Sequence, residues 1–175
     1  IVDIITGDTF SFPNIEIPVS MPLFQNSLFC FNCVADLQKA IGDEFHSHLY
    51  SRGNNPTVAL VERRIAEAEK GERAKLFASG VAAIYAVISS RVQSGDHIIC
   101  SDCAYSWAKH LCSVYLKRFN VSATFVNTKD IEAVKQAVRK NTKVLYLESP
   151  GSSFMSVSDL KALVEICKNN SIFSI

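Results

Sequence analysis

At 175 residues, with 48% apolar and 20% charged side chains, the chain can bury one substantial core and has the composition of a globular protein, not of a disordered or fibrous one. Its net charge of +1, with Lys and Arg scattered along the chain, removes the electrostatic basis for binding nucleic acid or an anionic membrane. Apolar runs such as Val81 to Ile88 are less than half the ~20 residues that a bilayer crossing needs. The start, Ile1-Val2-Asp3-Ile4-Ile5, lacks a basic secretion-signal region, so a cytoplasmic location is expected.

Pro13, Pro18 and Pro22 make the first 30 residues an extended arm, and Asn32 is placed to cap a short helix through Ile41. A polar connector, Gly42 to Asn55, offers little that can pack locally. Asn55 as cap and Pro56 at the first helical position then open a helix with the stripe Val58, Val61, Ile65, Ala68, which Gly71 closes. After this the chain alternates. Strands are expected at Lys75 to Ala78, His97 to Ser101, Ala123 to Val126, Lys143 to Leu147 and Ser171 to Ile175. Helices are expected at Gly80 to Gln93, Ser106 to Arg118, after the Asp130 cap, and at Asp159 to Lys168, where Leu160, Leu163, Val164 and Cys167 share a face. Such alternation predicts right-handed βαβ units on a mostly parallel sheet, with ligands beyond the carboxyl ends of the strands. Ser79, Ala104-Tyr105 and Glu148 all fall at those predicted ends. The division expected is an arm and short helix over residues 1–45 and an α/β domain over 46–175.

Six cysteines include the pairs Cys30/Cys33 and Cys100/Cys103. The pairs are far apart, lack knuckle glycines and lie in apolar or strand-end contexts, so reduced thiols packed as small hydrophobes are expected and no metal site. His46, His48, His97 and His110 show no ligand spacing; Trp107 reads as a packing residue.

Phe77-Ala78-Ser79-Gly80-Val81-Ala82-Ala83 leaves free N–H groups at a helix start, with a glycine that lets an anion approach them. Arg52, in Tyr50-Ser51-Arg52-Gly53-Asn54-Asn55-Pro56-Thr57, reads as a surface arginine in isolation; beside this phosphate-suited loop, its planar fork suits a phosphate. Tyr105 is either a helix-start tyrosine half-buried against the sheet or an aromatic platform. Glu148 ends a buried strand, where an unpartnered charge would be costly. Pro150-Gly151-Ser152-Ser153 follows it.

Together these motifs resemble, over about residues 45 to 175, the trans-sulfuration (Cys/Met metabolism) family of pyridoxal-phosphate enzymes. The resemblance implies a three-layer fold of the type I pyridoxal-phosphate transferase kind, of which this chain holds the N-terminal part. It implies pyridoxal 5'-phosphate as cofactor, with the N–H groups of Gly80 and Val81 and Ser79 at the phosphate. Tyr50 and Arg52 would reach in from a neighbouring subunit, and Tyr105 would stack on the ring. Glu148 and Ser152 would stand behind these. Val81 departs mildly from the methionine or alanine more usual there. Ser152 in place of asparagine, and Ser106-Trp107 in place of a glycine pair, look like the cystathionine β-lyase branch. That branch implies β-elimination of an amino-acid substrate, cystathionine, by a homotetramer; γ-acting relatives are the alternative, and a non-catalytic fold relative a more distant one. The family's ring-nitrogen aspartate and Schiff-base lysine are not among these residues. The fold is therefore expected to continue past Ile175, and the 175 residues alone are expected to be inactive.

Overall fold

The computed structural model describes residues 22–152 and 154–175. Most of the arm, with Pro13 and Pro18, and Ser153 lie outside the described residues. The chain forms two compact units that divide between Leu76 and Phe77.

In the first unit, helix α1 spans Val34–Gly42, with Cys33 rather than Asn32 at its cap and no side-chain cap bond. Helix α2, Pro56–Ala68, starts where expected: Asn55 Oδ1 accepts the Thr57 N–H at 2.9 Å. Asn55 is itself buried because its Nδ2 donates to the Phe24 carbonyl (3.0 Å) and to Ser51 Oγ (2.9 Å). The Phe24 N–H donates to Thr57 Oγ1 at 2.9 Å, and Tyr50 forms an antiparallel bridge with Leu28. The connector expected to lack local anchors is therefore stitched to the end of the arm by backbone and amide hydrogen bonds. The α2 stripe is not the buried face. Val58, Val61 and Ile65 are each about 40% exposed, while Pro56, Glu62 and Ala66 are buried.

Lys75 to Ala78 is not a strand. A strand exists only through its ladder, and no strand among the described residues pairs here. Instead Leu76 N–H donates to Glu62 Oε1 (3.0 Å) and Lys75 Nζ to Glu62 Oε2 (2.7 Å), which satisfies a buried carboxylate.

The second unit begins with α3, Gly80–Ser89, shorter than its apolar run suggested. Strand β1 is His97–Ser101. After it come α4 (Ser106–His110), a π turn (Leu111–Tyr115) and a 3₁₀ turn (Leu116–Phe119), which together fill the span expected as one regular helix. Then follow β2 (Ser122–Val126), α5 (Ile131–Ala137), β3 (Thr142–Tyr146), α6 (Leu160–Asn169) and β4 (Phe173–Ser174). The sheet order is β2-β1-β3-β4 and every pairing is parallel. Asp130 and Asp159 cap α5 and α6 by accepting the N–H groups of Ala133 and Ala162, each at 3.0 Å.

Alternation along the strands sorts two cores onto the two faces of the sheet. Ile98, Cys100, Val144 and Tyr146 pack with Ile88 of α3 and with Ala108, Leu111, Cys112 and Leu116. Ile99 and Leu145 pack with Val134 of α5 and with Leu163, Ile166 and Cys167 of α6. The result is three layers, helix–sheet–helix, with both faces of a parallel sheet covered. Leu160 stands apart from its predicted face, 45% exposed, and Trp107 is 55% exposed against the ring of His110, so it is not a core residue.

At the amino end of the sheet, His97 is fully buried between Thr142 Oγ1 and Thr124 Oγ1, both at 2.8 Å. Burial, and secondarily the Arg139 charge, push its imidazole down to about 4.

Candidate functional site

The site is built from loops that leave the carboxyl ends of β1 and β3, neighbours in a parallel sheet. Both chains exit on the same edge, so residues 43 apart in sequence meet there. Tyr105 caps α4 in an extended conformation, and its backbone N–H donates to Glu148 Oε2 at 2.9 Å. Ser152 Oγ donates to the other carboxylate oxygen, Oε1. Ser152 N–H in turn donates to the Cys103 carbonyl at 3.1 Å. Glu148 therefore acts as a brace between two loops, its charge spread over one amide and one hydroxyl. The Tyr105 ring is left 41% exposed beside it.

Gly151 shows how tightly the loops meet. A Cβ there would stand 2.8 Å from Cys103 Cβ and 3.1 Å from Cys103 O, and would collide with Sγ. Only a residue without a side chain fits. The Ser149–Pro150 peptide, just before it, is cis.

Ser79 caps α3, its Oγ accepting the Ala82 N–H at 3.1 Å. With that bond made and the Ala83 N–H given to Ser79 O, the N–H groups of Gly80 and Val81 are left without an acceptor among the described residues. A Cβ at Gly80 would meet nothing within 4 Å, so the side of the helix start where a side chain would stand is uncrowded. Ser79 itself follows a segment that pairs with no strand among the described residues, so it does not stand at a strand end.

Tyr50 and Arg52 lie in the first unit. Both are exposed, and the guanidinium sits 5.1 Å from the centroid of the Tyr50 ring, a cation–π spacing that pre-orients the arginine.

Beneath the edge, the thiols of Cys100 and Cys112 are buried in the core. Cys100 is held well above the usual thiol range by its hydrogen bond with Cys112 and by burial. Tyr146 is pushed up to about 12 by burial and by the Glu148 charge. Cys30 and Cys33 are exposed. No group of three or more His, Cys, Asp or Glu among the described residues is arranged to hold a metal ion.

The sequence presents Cys103 only as a packed thiol and Gly151 only as part of a motif, and it does not single out the buried hydroxyls of Ser101, Thr128 and Ser158. Ser101 ends β1 and Thr128 lies just past β2, so small hydroxyl residues at the ends of neighbouring strands were the available signal.

Comparison with known proteins places these features in context. Residues 13–175 match the family model described as Cys/Met metabolism PLP-dependent enzyme. The chain is 35% identical over 152 residues to the L-methionine gamma-lyase of Fusobacterium nucleatum subsp. nucleatum, covering 87% of this chain and 38% of that protein. It is also 35% identical over 128 residues to the cystathionine beta-lyase MetC of Bacillus subtilis, covering 73% of this chain and 33% of that one. The fold matches, with a TM-score of 0.83 and 27% identity, a Campylobacter jejuni protein described as an O-acetylhomoserine (thiol)-lyase, solved with N'-pyridoxyl-lysine-5'-monophosphate; the match covers 90% of this chain and 39% of that one. The chain spans less than two-fifths of the length of each of these relatives.

Proposed function

The chain belongs to the Cys/Met metabolism family of PLP-dependent enzymes, and from that premise we propose that it is the first part of the cofactor domain of a cytoplasmic carbon–sulfur lyase. The reaction proposed is β-elimination: cystathionine and water give homocysteine, pyruvate and ammonia. The observation that carries the reading is the pair of donors, the Gly80 and Val81 N–H groups, left without an acceptor among the described residues at the start of a ten-residue helix.

The residues present fit pyridoxal 5'-phosphate. A dianionic phosphate suits two free N–H groups at the positive end of a helix. When bound, the cofactor supplies an electron sink for the α-carbon of an amino acid. Gly80 and Val81 would hold the phosphate, with the Ser79 cap keeping their amides aimed outward. Tyr105 would cover one face of the ring, and Glu148 would fix the start of α4 so that the tyrosine cannot drift. Tyr50 and Arg52 would add a hydroxyl and a two-pronged cation to the phosphate of a neighbouring subunit, in a homotetramer whose sites are built across dimers.

Ser152 beside Glu148, where most of the family has asparagine, and Ser106-Trp107 favour the β-eliminating branch. A γ-eliminating reading is favoured by the likeness to methionine gamma-lyase. Purified full-length protein, given cystathionine, separates the two by its keto acid: pyruvate for β-elimination, 2-oxobutyrate for γ-elimination. Release of neither would overturn both.

A further inference from the structure

We propose that a closed ring of buried hydroxyls, Ser101–Thr128–Ser158, positions the Glu148 brace and through it Tyr105; this rests on the reading of Tyr105 and Glu148 as part of the cofactor site. The three residues come from the end of β1, the loop after β2 and the residues leading into α6, and all are buried. Ser101 Oγ lies 3.1 Å from Thr128 Oγ1, which lies 2.8 Å from Ser158 Oγ. At one end Ser101 Oγ is 3.0 Å from Cys103 Sγ, whose thiol donates to the Glu148 carbonyl at 3.8 Å. At the other end Ser158 N–H donates to Ser149 Oγ at 3.1 Å. Since Glu148 and Ser149 are adjacent, the chain of bonds closes on itself.

The direction of every proton in the ring follows from its ends. The Glu148 carbonyl can only accept, so Cys103 donates to it. The sulfur then accepts from Ser101, Ser101 from Thr128, and Thr128 from Ser158. Ser101 and Thr128 each accept one bond and donate one, so each bond polarises the next. The ring grips the Glu148 carbonyl at one end and the Ser149 hydroxyl at the other, while the Glu148 carboxylate reaches out to the Tyr105 N–H. A loop held at both ends can present a carboxylate to one place; a loop held at neither cannot.

Thr128→Val keeps the shape and removes the central hydroxyl, leaving Ser101 without its donor and Ser158 without its acceptor. In full-length protein stripped of cofactor, two quantities are read: the dissociation constant for added pyridoxal phosphate, by its absorbance band, and the alkylation rate of Cys103, by peptide mass mapping. Thr128→Val is expected to weaken cofactor binding about tenfold, the size of a lost buried hydrogen bond, and to speed Cys103 alkylation. Thr128→Ser is expected to restore both. Val134→Ala, which removes fully buried volume outside the ring, should lower the unfolding midpoint and leave cofactor affinity unchanged. Should Thr128→Val not fold, Ser158→Ala opens the same ring and carries the same expectation. Faster alkylation with unchanged affinity would reduce the ring to a structural role and overturn the proposal, as would Thr128→Ser behaving like Thr128→Val. Tyr105→Ala separates the two levels of the argument: if it leaves cofactor affinity intact, the site reading fails; if it weakens affinity while Thr128→Val does not, only the ring fails.

Discussion

The backbone N–H of Tyr105 and the carboxylate of Glu148 meet at 2.9 Å across 43 residues of chain. This one bond joins the loops after β1 and β3 and decides where α4 begins. A charge-assisted bond of this kind contributes about 1.5–3 kcal/mol. Glu148→Ala in full-length enzyme is expected to lower kcat/KM by ~10- to 100-fold, and Glu148→Gln, which keeps an acceptor without the charge, by less. Equal activity in Glu148→Ala and the parent would remove the brace from the account.

Gly151 is the steric counterpart of that brace. Its missing side chain lets the loop lie on Cys103, and Gly151→Ala would force a Cβ into the Cys103 Cβ and carbonyl. Overpacking of this sort costs about 1–3 kcal/mol, read as a drop in the denaturant midpoint. Pairing it with Cys103→Gly, which clears the Cβ and Sγ, should recover part of the loss. A midpoint unmoved by Gly151→Ala would contradict the contact.

His97 predicts a pH dependence of stability. Its imidazole is held at about 4, below its ordinary 6.5, by burial first and the Arg139 charge second. The unfolded chain therefore takes up a proton at higher pH than the folded one. The stabilisation is complete above pH 6.5 and is lost as pH falls toward 4, by up to about 1.4 kcal/mol for each pH unit in that window. Denaturant midpoints between pH 7.5 and 4.5 should fall more steeply in the parent than in His97→Gln. Parallel curves would show that His97 is not the group responsible.

Much of this architecture was legible because its signals are local. Asn55-Pro56, Asp130 and Asp159 are caps that a short window reveals, and β1 and β3 announce themselves as apolar runs. What escaped is what depends on distant partners. Lys75 to Ala78 looks like a strand, but a strand needs a neighbour, and the Leu76 N–H found a carboxylate instead. The apolar stripe of α2 and the ring of Trp107 read as core in composition and are exposed in the fold. Glu148 was recognisable as a charge that needs a partner; that the partner is a backbone amide on another strand's loop has no local signature. The hydroxyls of Ser101, Thr128 and Ser158 lie 27 and 30 residues apart, with no period to connect them.

The central claim, that the start of α3 is the phosphate cradle, is tested most directly by deleting one donor without disturbing the helix. Proline is tolerated in the first helical turn and has no N–H, so Val81→Pro in full-length protein removes a single amide from the cradle. Titrating the cofactor-free protein with pyridoxal phosphate should show its dissociation constant rising ~10- to 100-fold, the worth of one hydrogen bond to a charged group, with circular dichroism unchanged. A correctly folded Val81→Pro protein that binds the cofactor as tightly as the parent would contradict it.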